Sequence, residues 1–481
     1  MANPAPQNTL ASIQCLKDAG LEAVLLTPED SEYAVRQESY WSDSAKIKPA
    51  SIVLPRSAEE VATVIKALVA AGQKFAIRSG GHTNWAGSNN IEGGVTIDLS
   101  RLNTTVYDAD SETATIGPGN RWREVYSELH KHGRVVAGGR EGNVGVAGLL
   151  LGGGNTFFTA QRGFACDNVI EYEVVLADGQ IVKASPGENS DLFRVLKGGS
   201  NNFGVVTSFK MNAIKCDKVW GGMTFFPKTT IPAVQDALHE FTENVINDKE
   251  SNLVVIFTHM PDFKDIVVAT LYANVGGVGK APAYSKFAEI PEILNTVKMT
   301  SISEMAFEYN IPSNYRDVWF TLCFKNDKRI LAEASRLHDG LVEELKAFIP
   351  DGNFITQCLF QPLPALLAKN SVAAGGNVMG MERQKDDGIM FLAVAMVKTV
   401  EQELFAYPRV KAWIQAVTDF AATIEGGNLD WKHLNYADKS QDVLAAYGAD
   451  NVRMMKEAAA KFDPTQVFQK LVPGGFKISE V

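Results

Sequence analysis

The sequence predicts an α+β protein of more than one domain, and three observations predict it. The chain has 481 residues, more than one typical domain holds. Between residues 51 and 77 an apolar run, an amphipathic stretch and a second apolar run follow with short joints, a crossover pattern with parallel strands. After about residue 215 the glycine loops thin out, and strand-like runs alternate with long helical stretches.

The elements follow in order. "SIVL" (51–54) is a short apolar strand. "SAEEVATVIKALVAAG" (57–72) is a helix: Ser57 and Glu60 make a capping box, and Val61, Val64, Ile65 and Leu68 share one face. "KFAI" (74–77) is the second strand, and a glycine loop follows it, where α/β sheets place ligands. "GGVTIDLS" (93–100) and "ETATIGPG" (112–119) alternate like strands. "RWREVYSELHKHG" (121–133) is an amphipathic helix stopped by Gly133. "EYEVVLADGQIVKAS" (171–185) is a hairpin turning at Asp178-Gly179, and "FGVVTSFKMNAI" (203–214) is a strand. Residues 216–425 read as a second α+β domain with helices at 327–348 and 401–424. A helix near 451–461 stops before Pro464, and a polar tail then returns to the first domain.

Composition narrows the function. Hydrophobic residues are 46% and charged residues 21%, as in ordinary globular chains. A net charge of −10 argues against nucleic acid or an anionic membrane as the main partner. The first 20 residues lack a basic start followed by an apolar core, and no 18-residue apolar run exists. A cytoplasmic or otherwise intracellular protein without a membrane span is therefore expected. Cys15, Cys166, Cys216, Cys323 and Cys358 are few, odd in number and far apart, which suits reduced thiols; no pair has zinc spacing, so no metal site is expected.

Four segments carry the chemistry. The first is Arg78-Ser79-Gly80-Gly81-His82-Thr83, a loop whose N–H groups can converge on a pyrophosphate. The second is 138–169, with nine glycines in 32 residues, too many for a packed helix and a sign of close backbone approach. Its spacing is not the G-x-G-x-x-G fingerprint, so a nicotinamide dinucleotide domain is disfavoured. The third is "KGGSNNFGVVTSFK" (197–210), and the fourth is "WKHLNYAD" (431–438) with "PGGFK" (473–477).

The order R-S-G-G-H, V-G-V-A-G…L-G-G-G, D-N-V, G-G-x-N-N-F-G-V-V-T and N-Y-A resembles the vanillyl-alcohol-oxidase-type flavoproteins, in particular the fungal berberine-bridge-enzyme-like oxidases. The resemblance implies a two-part PCMH-type FAD-binding domain, residues 1–215 and 426–481, beside an α+β substrate domain, residues 216–425, with an antiparallel sheet. It implies a flavin tethered through its 8-methyl carbon to His82, which raises the flavin's reduction potential and prevents its loss. Many relatives add a cysteine tether three residues before the valine of V-G-x-G-G. That position is Glu141 here, and Cys166 lies in D-N-V instead, so a single tether is expected. The cofactor residues implied with His82 are Arg78, Ser79, Gly80, Gly81, Thr83, Gly87 and Ser88; Gly119; Gly142, Val144, Gly145, Val146, Gly148, Gly152, Gly153 and Asn155; Asn168 and Val169; Gly204, Val205 and Val206; and Asn435.

The implied reaction moves a hydride from a small organic alcohol or amine, of secondary metabolism, to FAD and then to O2, giving H2O2. A dehydrogenase or oxidative cyclase with poor oxygen reactivity, or a non-catalytic flavin binder, are the alternatives. Tyr436, His433 and Glu382, with Tyr309 behind them, are the candidates for the substrate's proton. A strand over 431–438 would put His433 and Asn435 on one face and Tyr436 on the other. Asn435 either hydrogen-bonds the flavin or holds the loop. Phe225, Phe226, Phe257, Met260, Trp319, Phe324, Met379 and Met381 are the apolar candidates for a substrate pocket, which suits an apolar metabolite better than an oligosaccharide. Oligomeric state is not legible.

Overall fold

The structure, a computed structural model, describes residues 13–481. The leader reading falls partly on residues 1–12, which lie outside the described residues. Among the described residues no helix is long and apolar enough to cross a membrane.

The crossover forms as expected. Ser51–Val53, the helix Ala58–Ala70 and Phe75–Arg78 build it. Both strands pair in parallel with Val95–Asp98, which lies between them. Ser57 caps the helix by accepting from Glu60 N, and Val61, Val64, Ile65 and Leu68 are fully buried on one face. The box closes differently from the expectation: the Glu60 carboxylate accepts from Arg56 N at 2.7 Å, one residue further out.

A second sheet of five antiparallel strands has the order Thr105–Asp108, Thr113–Ile116, Val205–Asn212, Val169–Val175, Ile181–Ala184. Its hairpin turns at Asp178-Gly179, where Gly179 takes φ +78°. The helix Trp122–His130 packs with Val146–Leu151 and the C-terminal Ala449–Phe462 into one large core.

The third sheet is wholly antiparallel, with eight strands drawn from residues 219–397. The helices Ile231–Asn244, Lys328–Phe348 and Val400–Ala422 cover one face through Leu253, Val255, Phe257, Phe320, Phe360 and Phe391. Strand side chains alternate, so the neighbours Val254, Ile256, Trp319, Leu359 and Leu392 emerge on the other face and line a cavity.

The tail returns to the first sheet. Phe75 N donates to Leu471 O at 2.8 Å, and Val467, Phe468 and Val472 join the core of the crossover unit.

Candidate active site

The cavity measures about 520 Å³, within the usual range for small-molecule sites. One wall is backbone. Arg78 anchors the first loop from behind: its guanidinium donates to Arg36 O at 2.6 Å and Ser39 Oγ at 2.7 Å and lies over the Tyr40 ring. Ser79 Oγ donates to Pro118 O and accepts from Ala147 N. Gly80 and Gly145 touch so closely that a Cβ on Gly80 would stand 2.5 Å from Gly145 Cα. Arg121 locks this contact by donating to Gly80 O at 2.7 Å and to Asn143 O.

His82 lines the cavity from that loop. Its ring stacks on Trp41, centroids 4.4 Å apart. Nε2 is buried and has no hydrogen-bond partner. Burial first, and the Arg121 charge second, push the imidazole down to about 3, so it is neutral at physiological pH. Glu141 Oε2 lies 3.7 Å from Nε2. The carboxyl accepts from Val144 N at 2.8 Å and from Asn143 Nδ2, yet burial dominates and pushes it up to about 7. The two are neighbours rather than an ion pair: the imidazole carries no charge, and 3.7 Å exceeds hydrogen-bond reach.

The far end is closed by the third and fourth segments together. Asn201 Nδ2 donates to Gly474 O at 3.1 Å, Asn202 Nδ2 to Phe476 O at 3.0 Å, and Lys477 Nζ to Asn201 Oδ1 at 3.1 Å. Ser200, Asn201, Gly204, Val205, Val206, Gly475 and Phe476 line the space there.

A sequence profile described as FAD binding domain matches residues 49–185. An FAD-dependent monooxygenase of Aspergillus calidoustus is 38% identical over 98% of this chain and 91% of its own. This chain belongs to the family of these fungal FAD-dependent oxidoreductases, and its fold is that of the vanillyl-alcohol-oxidase-type flavoproteins. Two solved structures share the fold. An oxidoreductase that catalyses the terminal step of gilvocarcin biosynthesis, solved with pregilvocarcin, has TM-score 0.78 at 16% identity over 94% of this chain and 99% of that one. The glucooligosaccharide oxidase of Acremonium strictum, with a 6-S-cysteinyl, 8α-N1-histidyl FAD, has TM-score 0.74 at 20% identity over 95% and 97%. The protein is thus an FAD-dependent oxidoreductase. Its cavity fits such a group: a backbone wall admits a flat ring, and a buried imidazole nitrogen awaits a partner.

In this flavoprotein the cavity gathers Ser79, Gly80, Gly81, His82, Thr83, Ser88, Val144, Gly145, Gly148, Asn155, Gly204, Val205, Val206, Asn435 and Tyr436 from the sequence-derived set. Arg78, Gly87, Gly119, Gly142, Val146, Gly152, Gly153, Asn168 and Val169 do not line it. They act behind the wall: Gly142 N donates to Ala306 O, Val146 N to Asn120 O, and Asn168 Nδ2 to Phe164 O. Gly119 and Gly152 leave room for the Leu99 carbonyl and the Asn435 amide.

The expected strand at 431–438 is absent. Leu434–Tyr436 is a single 3₁₀ turn instead, because Asn435 is claimed by the glycine run: Oδ1 accepts from Gly154 N at 3.0 Å and Nδ2 donates to Gly148 O at 2.9 Å. Asn435 therefore holds the loop. Tyr436 and Asn435 line the cavity, while His433 does not. His433 is fully buried against Phe164, Trp431 and Tyr436, both ring nitrogens lack partners, and burial pushes it down to about 3. Glu382 is exposed and accepts from Asn451 Nδ2 at 2.9 Å, away from the cavity. Tyr309 lines the cavity, but its hydroxyl donates to the Tyr272 carbonyl at 3.2 Å. Of the aromatic and sulfur candidates, Phe225, Met260 and Trp319 face the cavity, whereas Phe226, Phe257 and Phe324 face the helices. Met379 and Met381 are core. Sequence reasoning missed Trp41, Arg121, Arg140 and Gln361, none of which sits in a motif that marks its role.

Proposed function

We propose that the protein is an FAD-linked oxidase that carries its flavin on His82 and takes a hydride from an alcohol or amine carbon of a small organic metabolite. The observation that carries this reading is one cavity holding a neutral imidazole with an unpartnered Nε2 and a tyrosine hydroxyl. A neutral imidazole is nucleophilic, so His82 suits a covalent bond, and Glu141 in place of a thiol leaves one tether. Bound FAD supplies a hydride acceptor and hands the electrons to O2 as H2O2.

The remaining work falls to the chain. We assign the substrate's proton to Tyr436 because it lines the cavity, whereas His433 lies behind it and Glu382 faces solvent. Arg140 Nη2 donates to Tyr436 Oη at 3.3 Å. That leaves the phenolic oxygen's remaining positions for the substrate. The apolar strands of the third sheet exclude water from the reacting carbon. We divide the chain into a cofactor domain, 1–215 with 426–481, and a substrate domain, 216–425; the tail's bonds to residues 75, 201 and 202 support this.

The name of the Aspergillus calidoustus relative favours a second reading, a monooxygenase that leaves one oxygen atom in the product. Purification, an absorbance spectrum and acid precipitation test the first claim: yellow colour should stay with the pellet. Turnover under ¹⁸O₂ separates the readings. Stoichiometric peroxide with unlabelled product supports the oxidase; labelled product replaces it with the monooxygenase.

A further inference from the structure

One charged side chain of the cavity has no counter-charge. Arg140 lines the cavity and is half-buried. Its guanidinium donates to Gln361 Oε1, to Tyr436 Oη at 3.3 Å and to Asn252 Oδ1 at 3.4 Å. All three acceptors are uncharged. Among the described residues no carboxylate lies within ion-pair distance of it. The two carboxylates of the cavity are engaged elsewhere: Glu308 pairs with Lys298 at 2.6 Å, and Glu141 faces His82 and accepts from Val144 N.

The guanidinium is held still. Gln361 and Asn252 stand on adjacent strands of the third sheet, and Asn155 Nδ2 fixes Gln361 by donating to the same Oε1 at 3.0 Å. The same cavity is lined from the sheet by Met223, Phe225, Ile256, Leu271, Leu359 and Leu392. Near apolar surface a cation is screened less than in water, and neutral acceptors leave its charge unbalanced. An arginine so placed then gains most from an anionic oxygen, to which one of its remaining N–H groups can donate a charge-assisted hydrogen bond.

We propose that Arg140 determines specificity by binding an anionic oxygen of the substrate. The substrate class is an apolar molecule with one such group, either a carboxylate or the ionised enol of a 1,3-dicarbonyl. The bound anion lies beside Tyr436 Oη, so the same contact sets the distance between the substrate and the proposed proton acceptor. This rests on the reading of the cavity as the place where flavin and substrate meet, and adds the charge of the substrate to it.

Titration calorimetry on the purified holoprotein tests it with three probes: 4-phenylbutyrate, dimedone and the uncharged 4-phenylbutan-1-ol, at a pH that ionises the first two. At least one anion should bind about tenfold to a hundredfold more tightly than the alcohol, the worth of a charge-assisted hydrogen bond. Preference for phenylbutyrate identifies a carboxylate, and preference for dimedone an enol. Arg140→Leu should bring the favoured anion and the alcohol to one affinity. Arg140→Lys should keep part of the preference, which separates loss of charge from loss of fold. Equal binding of all three probes by the wild type, or a preference that survives in Arg140→Leu, overturns the proposal. The absorbance spectrum of the same preparation reports separately on the flavin: a colourless protein refutes the oxidase reading, while the anion preference still decides the role of Arg140.

Discussion

The imidazole of His82 lies flat on the indole of Trp41, with centroids 4.4 Å apart and planes 6° from parallel. The indole is itself fixed: Trp41 N donates to Gly81 O at 3.1 Å, Nε1 donates to Pro312 O at 3.0 Å, and Trp319 meets it edge-on. The stack therefore sets the plane of the ring that we propose carries the flavin. Trp41→Ala should lower the fraction of flavin retained after acid precipitation several-fold, and Trp41→Phe should restore most of it. Full retention in Trp41→Ala would remove the stack from the account of the tether.

His82→Ala should release all flavin into the acid supernatant. Cys166 is no substitute, because its thiol is fully buried and burial pushes it well above the ordinary thiol range. Peptide mapping checks this. A flavin found on a Cys166 peptide would overturn the single-tether reading.

Gly80 and Gly145 bring two loops into backbone contact. Gly145→Ala should force the loops apart and yield protein with substoichiometric flavin, read from the ratio of visible to ultraviolet absorbance. Gly187→Ala meets nothing within 4 Å and should bind flavin normally. Full flavin content in Gly145→Ala would show that the loops can separate without cost to the site.

Glu141 predicts a pH dependence. The folded protein keeps its proton up to about pH 7, against an ordinary value of 4.5. Between those values the folded state binds more protons than the unfolded chain, so stability falls as pH rises and levels off above 7. Glu141→Gln has no proton to lose. Its stability relative to the wild type should rise across that window, by at most about 3 kcal/mol for a shift of this size. Denaturant titrations at several pH values measure the difference. A difference that does not change with pH would show that the carboxyl is ionised in the folded protein.

What was legible in the sequence is what local rules govern. The helix after Ser57 and the turn at Asp178-Gly179 follow from periodicity and turn chemistry alone. The glycines of the four segments mark close backbone approach, but it is the order of the segments, through its resemblance to a known family, that reads as a cofactor site. Residues 431–438 were misread because alternation suggested a strand, while the conformation is set by Asn435 reaching Gly148 and Gly154, over 280 residues away in the chain. Phe257 and Phe324 were offered as pocket residues, but strand parity puts them on the helix face with Phe320 and Phe360. Trp41 lies outside the four segments, and Arg140 lies inside the second without a local mark of its role, since both roles arise from partners at 82, 312, 361 and 436.

Tyr436 and His433 separate in the structure, and so should their variants. Tyr436 lines the cavity with its hydroxyl beside Arg140. Tyr436→Phe should slow anaerobic flavin reduction by about 10²–10⁴, the usual worth of a positioned acid or base. His433 sits behind it, edge-on at 4.7 Å, with both nitrogens unpartnered. Its protonation is pushed from 6.5 to about 3 by burial, so it supplies no limb near neutrality to a pH–rate profile. Protonation of the unfolded chain at that higher value does draw on stability: the stability that a neutral buried His433 contributes is present above pH 6.5 and is lost progressively as pH falls towards about 3. His433→Phe removes two buried polar atoms without partners. It should leave the reduction rate and its pH profile close to wild type, and it should flatten part of the acid destabilisation. Stopped-flow reduction and acid unfolding of the two variants measure both effects. A large loss of reduction rate in His433→Phe, with Tyr436→Phe near wild type, would move the proton acceptor to the imidazole and require the turn at 434–436 to open during turnover.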